Sequence, residues 1–176
     1  SPVHIILNLL ALWWLGSELE QRWGSKFFLT YYLVCAIGSA FLYVTIVLIY
    51  ALAGGSVTAL LTPVVGASGA IFGLLLAYGI LFGERVVYFM MMFPMKAKYF
   101  VMILGGIEVV NLINTGVAGS EVASLAHLGG IVSGYLFLLL NKKLQQKKWK
   151  EKSTAKSKLK LVINNEKKKD GPKYWN

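Results

Sequence analysis

Few side chains in this sequence could do chemistry from within apolar surroundings. The chain has two histidines, His4 and His127. Asn8 follows His4 by four residues, and on a helix that spacing puts both on one face. Ser68 stands between Gly66 and Gly69, at the head of an apolar run that continues to Phe82. A serine hydroxyl is a weak nucleophile until a base takes its proton, and the base must come within about 2.6–3.2 Å. The chemistry to look for is therefore attack by Ser68 on a carbonyl, with a histidine as the general base. Each residue also has a purely structural explanation. A serine at a helix start commonly caps the helix, a histidine in a membrane helix can be a packing residue, and small-x-x-x-small pairs are mostly structural. What shifts the balance is that all four stand at one predicted depth.

That depth follows from the elements that would carry them. The chain has 176 residues and is 56% hydrophobic, with a mean hydropathy of +0.60. Its apolar residues fall in blocks of membrane-crossing length rather than in amphipathic stripes. The pattern predicts an all-α, polytopic membrane bundle with five spans, at about 2–15, 27–52, 68–82, 97–113 and 122–140. The stretch 16–26 reads as a polar connector, 53–65 as an uncharged loop, and 86–94 as an interfacial segment. The single Cys35 lies inside an apolar run, so there is no disulfide framework. The sequence shows no secretory signal pattern. It opens directly on a hydrophobic segment, like the middle of a protein.

The net charge of +10 is a property of one end. Residues 1–141 are balanced, five basic against five acidic, whereas 142–176 carry 13 lysines against three acidic groups. The expected organisation is a membrane core over 1–141 and a polybasic, disordered tail over 142–176, near anionic lipid. Nucleic-acid binding would have no fold to support it. With that tail placed in the cytoplasm, Arg22, Lys26, Arg85, Lys96 and Lys98 fall on the same side, and the loops 53–67 and 114–121 carry no Lys or Arg. The first, third and fifth spans then enter from the extracytoplasmic side, which brings His4, Asn8, Ser68 and His127 to a common level. The third span, about 15 residues, covers roughly 22 Å, too little for about 30 Å of hydrocarbon. Its serine end must lie below the surface, in protein or a wet cavity. Gly69 with Gly73, and Gly130 with Gly134, would let the third and fifth helices approach closely.

These residues, in this order and at these separations, resemble the rhomboid family of intramembrane serine proteases over residues 4–140. His4-x-x-x-Asn8, Gly66-x-Ser68-Gly69, His127 with Gly130 and Gly134, and Glu20-x-Arg22-x-Gly24 match the family's motifs. The resemblance implies that Ser68 is the nucleophile and His127 its general base, acting as a dyad with no carboxylate placed to orient the histidine. It implies that Phe72 packs on His127, and that His4, Asn8 and the Ser68 backbone N–H stabilise the oxyanion. It also implies a first span, preceding His4, that is missing here. No cofactor or metal is called for. The expected partners are single-span membrane-protein substrates and the lipid bilayer, with the site opening to the extracytoplasmic side. The alternatives are a non-proteolytic rhomboid-like factor that binds membrane proteins, and a small transporter or channel, which the one-sided cluster of histidines disfavours. Glu108, Asn111 and Asn114 read as interhelical hydrogen-bonding residues in preference to substrate gating, and Glu20 with Arg22 as a loop network.

Overall fold

The computed structural model describes residues 2–55, 67–89, 92–116 and 123–156. Five helices and one hairpin occur among them: α1 (Pro2–Trp23), α2 (Ser25–Leu52), α3 (Ser68–Leu81), β1 (Val86–Phe89), β2 (Phe93–Lys96), α4 (Ala97–Thr115) and α5 (Ala123–Lys156). Four of the helices, all but α3, are long and apolar enough to cross a membrane. The architecture is the all-α polytopic bundle that the hydropathy predicts.

The short helix is the central one. Gly69, Ala70, Ile71, Gly73, Leu74, Leu75, Ala77 and Tyr78 are buried, so α3 is largely enclosed, with Ile80 and Leu81 exposed at its end. It packs against α1, α2 and α4. At 14 residues it is about 21 Å long. The outer helices sort their residues by the 3.6-residue period. On α2, Tyr31, Cys35, Ser39 and Val47 are buried, while Leu29, Leu33, Ile37, Phe41 and Leu48 are exposed on a face suited to lipid. On α4, Val101, Leu104, Gly105, Glu108, Asn111, Leu112 and Thr115 form the partly buried stripe. Met102, Ile103, Ile107, Val110 and Ile113 are exposed, and so is Asn114, which therefore does not share the stripe with Glu108 and Asn111.

Contacts between the helices are backbone-close where glycines allow it. A Cβ on Gly130 would fall on the Gly69 carbonyl, one on Gly69 would meet the Ser39 side chain, and one on Gly73 would meet Cys35. Polar groups are consumed at the same places. Tyr31 Oη donates to the Gly73 carbonyl at 2.7 Å, and Ser39 Oγ donates to the Ala126 carbonyl at 2.6 Å.

Several boundaries differ from the hydropathy pattern. Residues 16–23, expected as connector, continue α1, and the reversal into α2 is made at Gly24, with φ of +80°. Only glycine adopts that conformation without cost. The segment after α3 is an antiparallel hairpin in which Val86 pairs with Lys96 and Tyr88 with Pro94. Val87 points into the core while Val86 and Tyr88 are exposed. With only two strands each is an edge, and Pro94 is tolerated. Helix α5 runs to Lys156, so residues 142–156 are helical where a disordered tail was expected. Contacts divide the chain at Leu140, with residues from Asn141 forming a separate unit. Residues 157–176 lie outside the described residues.

The expected Glu20–Arg22 network takes a different form. Glu18 pairs with Arg85, and Tyr78 Oη lies 3.4 Å from both Glu18 carboxylate oxygens. Among the described residues Glu20 and Arg22 form no ion pair; Arg22 lines a cavity shared with Glu18 and Arg85.

Candidate functional site

Ala67 is the N-cap of α3 and makes no side-chain cap. Ser68 is thus the first helical residue, and its hydroxyl is not used for capping. Its partner is on another helix: Ser68 Oγ lies 2.9 Å from His127 Nε2. The first intrahelical bond runs from the Ile71 N–H to the Ala67 carbonyl. The N–H groups of the preceding residues in that turn are left to bind something else, as at any helix start.

His127 comes from α5, one turn before the Gly130 contact with Gly69. The same glycines that let α5 lie against α3 set the distance between base and hydroxyl. Phe72, one turn along α3 from Ser68, stacks on the imidazole with ring centroids 4.2 Å apart and planes at 15°. The ring is therefore fixed on its face, and Nε2 is directed at Ser68. For Nε2 to accept from the hydroxyl, the neutral imidazole must carry its proton on Nδ1.

At Nδ1 the sequence-based expectation fails. A carboxylate does stand beside His127: Glu108 Oε1 is 3.0 Å from Nδ1, and both side chains are 12% exposed. The contact lacks hydrogen-bond alignment, leaving Nδ1 without a hydrogen-bond partner among the described residues. Periodicity put Glu108 on the inner stripe of α4, but nothing in the sequence said which helix stood opposite.

The other predicted residues fall as follows. His4 and Asn8 lie on α1, which packs against α3; His4 is exposed and Asn8 half-buried. Neither is hydrogen-bonded to Ser68 or His127 in this structure. Gly69 and Gly130 meet at the helix crossing, and Gly134 faces Tyr31 and Cys35. Gly66 lies outside the described residues. A cavity of about 250 Å³ adjoins the serine, lined by Ala36, Ser39, Ala40, Tyr43, Val44, Ser68 and Ala126. It is large enough for several waters, at about 30 Å³ each. Among the described residues no group of three His, Cys, Asp or Glu could hold a metal ion.

Residues 1–143 match the family model of the Rhomboid domain. The chain is 31% identical over 140 residues to the Bacillus subtilis protein named Rhomboid protease GluP, covering 75% of this chain and 22% of that one. It is 28% identical over 134 residues to the Saccharomyces cerevisiae protein named Rhomboid protein 1, mitochondrial, covering 76% of this chain and 36% of that one. The chain thus spans well under half the length of either relative. No solved structure gives a significant match. A match over four-fifths of the sequence, on a helical bundle that brings Ser68 to His127, leads to one assignment: the chain belongs to the rhomboid family.

Proposed function

We propose that this chain is the membrane core of a serine endopeptidase that cuts a peptide bond in or next to the transmembrane segment of another membrane protein. The observation that carries this reading is the 2.9 Å contact between Ser68 Oγ and His127 Nε2 inside an apolar bundle. A serine and a histidine retained only for packing would have no need of that alignment.

In the proposed reaction His127 Nε2 takes the Ser68 proton as Oγ attacks the scissile carbonyl. The imidazolium then gives that proton to the leaving amine, which departs and leaves an acyl-serine. A water, activated by the same nitrogen, attacks the acyl carbon and frees the new carboxyl group. The oxyanion formed in both halves is held by the backbone N–H groups at the start of α3, with His4 and Asn8 donating from α1 once a substrate occupies the site. Phe72 keeps the ring from turning between the two proton transfers. Water reaches the cavity beside Ser68 from the extracytoplasmic side, with the lysine-rich end in the cytoplasm.

The substrate segment must unwind locally, because a helical backbone hides its carbonyls in its own hydrogen bonds. A single-span protein with a small residue before the cut and helix-weakening residues after it fits that requirement. The test is cleavage of a single-span substrate in liposomes by the full-length protein and by its Ser68→Ala variant. Cleavage by the parent, lost in the variant, is expected. Equal cleavage by both refutes the assignment of Ser68 as nucleophile, and no cleavage by either leaves non-proteolytic binding as the function.

A further inference from the structure

The geometry points to Glu108 as a positioning residue for His127, making the site a Ser–His–Glu relay rather than a bare dyad. This rests on Ser68 and His127 being nucleophile and base.

Three observations converge on it. Glu108 lies near the middle of α4, eleven residues after Ala97, so it stands at depth within an apolar helix. A carboxylate there is costly unless it faces the protein interior and a partner. It does both: it sits on the inner stripe of α4, and Oε1 is 3.0 Å from His127 Nδ1. The third observation is the state of Nδ1 itself. When Nε2 accepts from the Ser68 hydroxyl, as the proposed reaction requires, Nδ1 carries the ring proton, and this buried nitrogen has no hydrogen-bond partner among the described residues. The nearby carboxylate is the natural acceptor, since rotation about the last side-chain torsion of a glutamate is soft and broad.

The function of the contact follows from what happens to the ring. In the resting site the carboxylate selects the tautomer with Nδ1–H, which leaves the Nε2 lone pair facing the hydroxyl. When Nε2 takes the serine proton, the ring becomes a cation and Nδ1–H···Oε1 becomes an ion pair in a medium of low dielectric, where it strengthens. Glu108 touches neither substrate nor the reacting bonds, so it acts only through His127. Phe72 and Glu108 divide the task of holding the ring, the first by its face and the second by its far edge.

The test uses the full-length protein in liposomes, with a cleavable single-span substrate and a fluorophosphonate probe to count competent sites. Glu108→Gln keeps the shape and removes the charge, Glu108→Met removes both charge and acceptor while keeping the length, and Glu108→Asp keeps the charge. The expected result is a fall in kcat per competent site of about 10- to 100-fold for Gln and Met, taking as a guide the range seen when the outer partner of a metal-binding histidine is removed, with KM within about twofold of the parent. Asp should recover part of the loss. A merely structural glutamate would lower the unfolding temperature and leave kcat per competent site unchanged, which would overturn the proposal. If Glu108→Gln fails to fold, Glu108→Met decides by the same criterion, because an apolar side chain is welcome at that depth. Loss of cleavage by the parent, or its persistence in Ser68→Ala, would sink the protease assignment itself and is read separately.

Discussion

Replacing Gly130 with alanine should disable the site without touching any reacting residue. A Cβ at 130 would fall on the Gly69 carbonyl oxygen and stand 2.6 Å from the carbonyl carbon and 3.3 Å from the Cα. Carbon atoms rest at about 3.5–4.0 Å, so α5 must back away from α3 by at least roughly 1 Å. All three atoms that resist are backbone of the buried central helix, and no side-chain rotation relieves the clash. His127 rides on α5 one turn earlier and Ser68 is the neighbour of Gly69, so the retreat adds directly to the 2.9 Å between Nε2 and Oγ. At about 3.9 Å the hydrogen bond is lost. A misplacement of about 1 Å in a catalytic pair costs on the order of 100-fold in rate, and overpacking a tight contact costs about 1–3 kcal/mol in stability. Cleavage rates in liposomes and thermal unfolding in detergent, measured on the same preparation, check both. A Gly130→Ala protein with the parent's rate would show that α5 does not set the distance between base and nucleophile.

Further outcomes follow from other contacts. Tyr31 is fully buried and its hydroxyl donates to the Gly73 carbonyl; Tyr31→Phe should destabilise the bundle by about 0.5–1.5 kcal/mol, read as a lower unfolding temperature with cleavage retained. Phe72→Ala removes the stacked ring and should cost stability and lower kcat more than it changes KM, since the imidazole is then free to turn. The Glu84 carboxyl is held down at about 2 from an ordinary 4.5, chiefly by hydrogen bonds from Lys96 at 2.8 Å and from Lys98. Because its folded value is depressed, the stability it contributes is complete above about pH 4.5 and is lost as the pH falls towards 2. Glu84→Gln should therefore narrow the stability gap to the parent across that window. Its side chain is 71% exposed, so salt should shrink the effect as well.

The fold was legible in the sequence where burial and hydropathy coincide. The five apolar helices, and the shortness of the one that begins at Ser68, follow from block length alone. The contact of α3 with α5 was legible in Gly69, Gly73 and Gly130, because helices that approach closely need bare faces, whereas Gly134, expected at the same contact, faces Tyr31 and Cys35 of α2. What hydropathy marks is the edge of the membrane and not the end of a helix. For that reason it stopped the first span at Leu15, although α1 continues to Trp23, and the last at Leu140, although α5 continues to Lys156. The 86–96 hairpin was hidden because its strands are four residues each and one contains Pro94. Pairings across long sequence separations were beyond reach for a different reason. Periodicity gives the face of a helix and not its neighbour, so Glu18 with Arg85 and Glu108 with His127 had to be seen. The absence of a sequence motif around Glu108 made a histidine with no carboxylate beside it the natural expectation, whereas Glu108 Oε1 stands 3.0 Å from His127 Nδ1.

The central claim is that Ser68 is a nucleophile activated by His127. The most direct measurement is covalent labelling of the full-length protein in its membrane with a fluorophosphonate, with the modified residue located by mass spectrometry. The account predicts a single adduct on Ser68 that disappears in His127→Ala. Labelling elsewhere, or labelling of Ser68 that survives loss of the histidine, would contradict it.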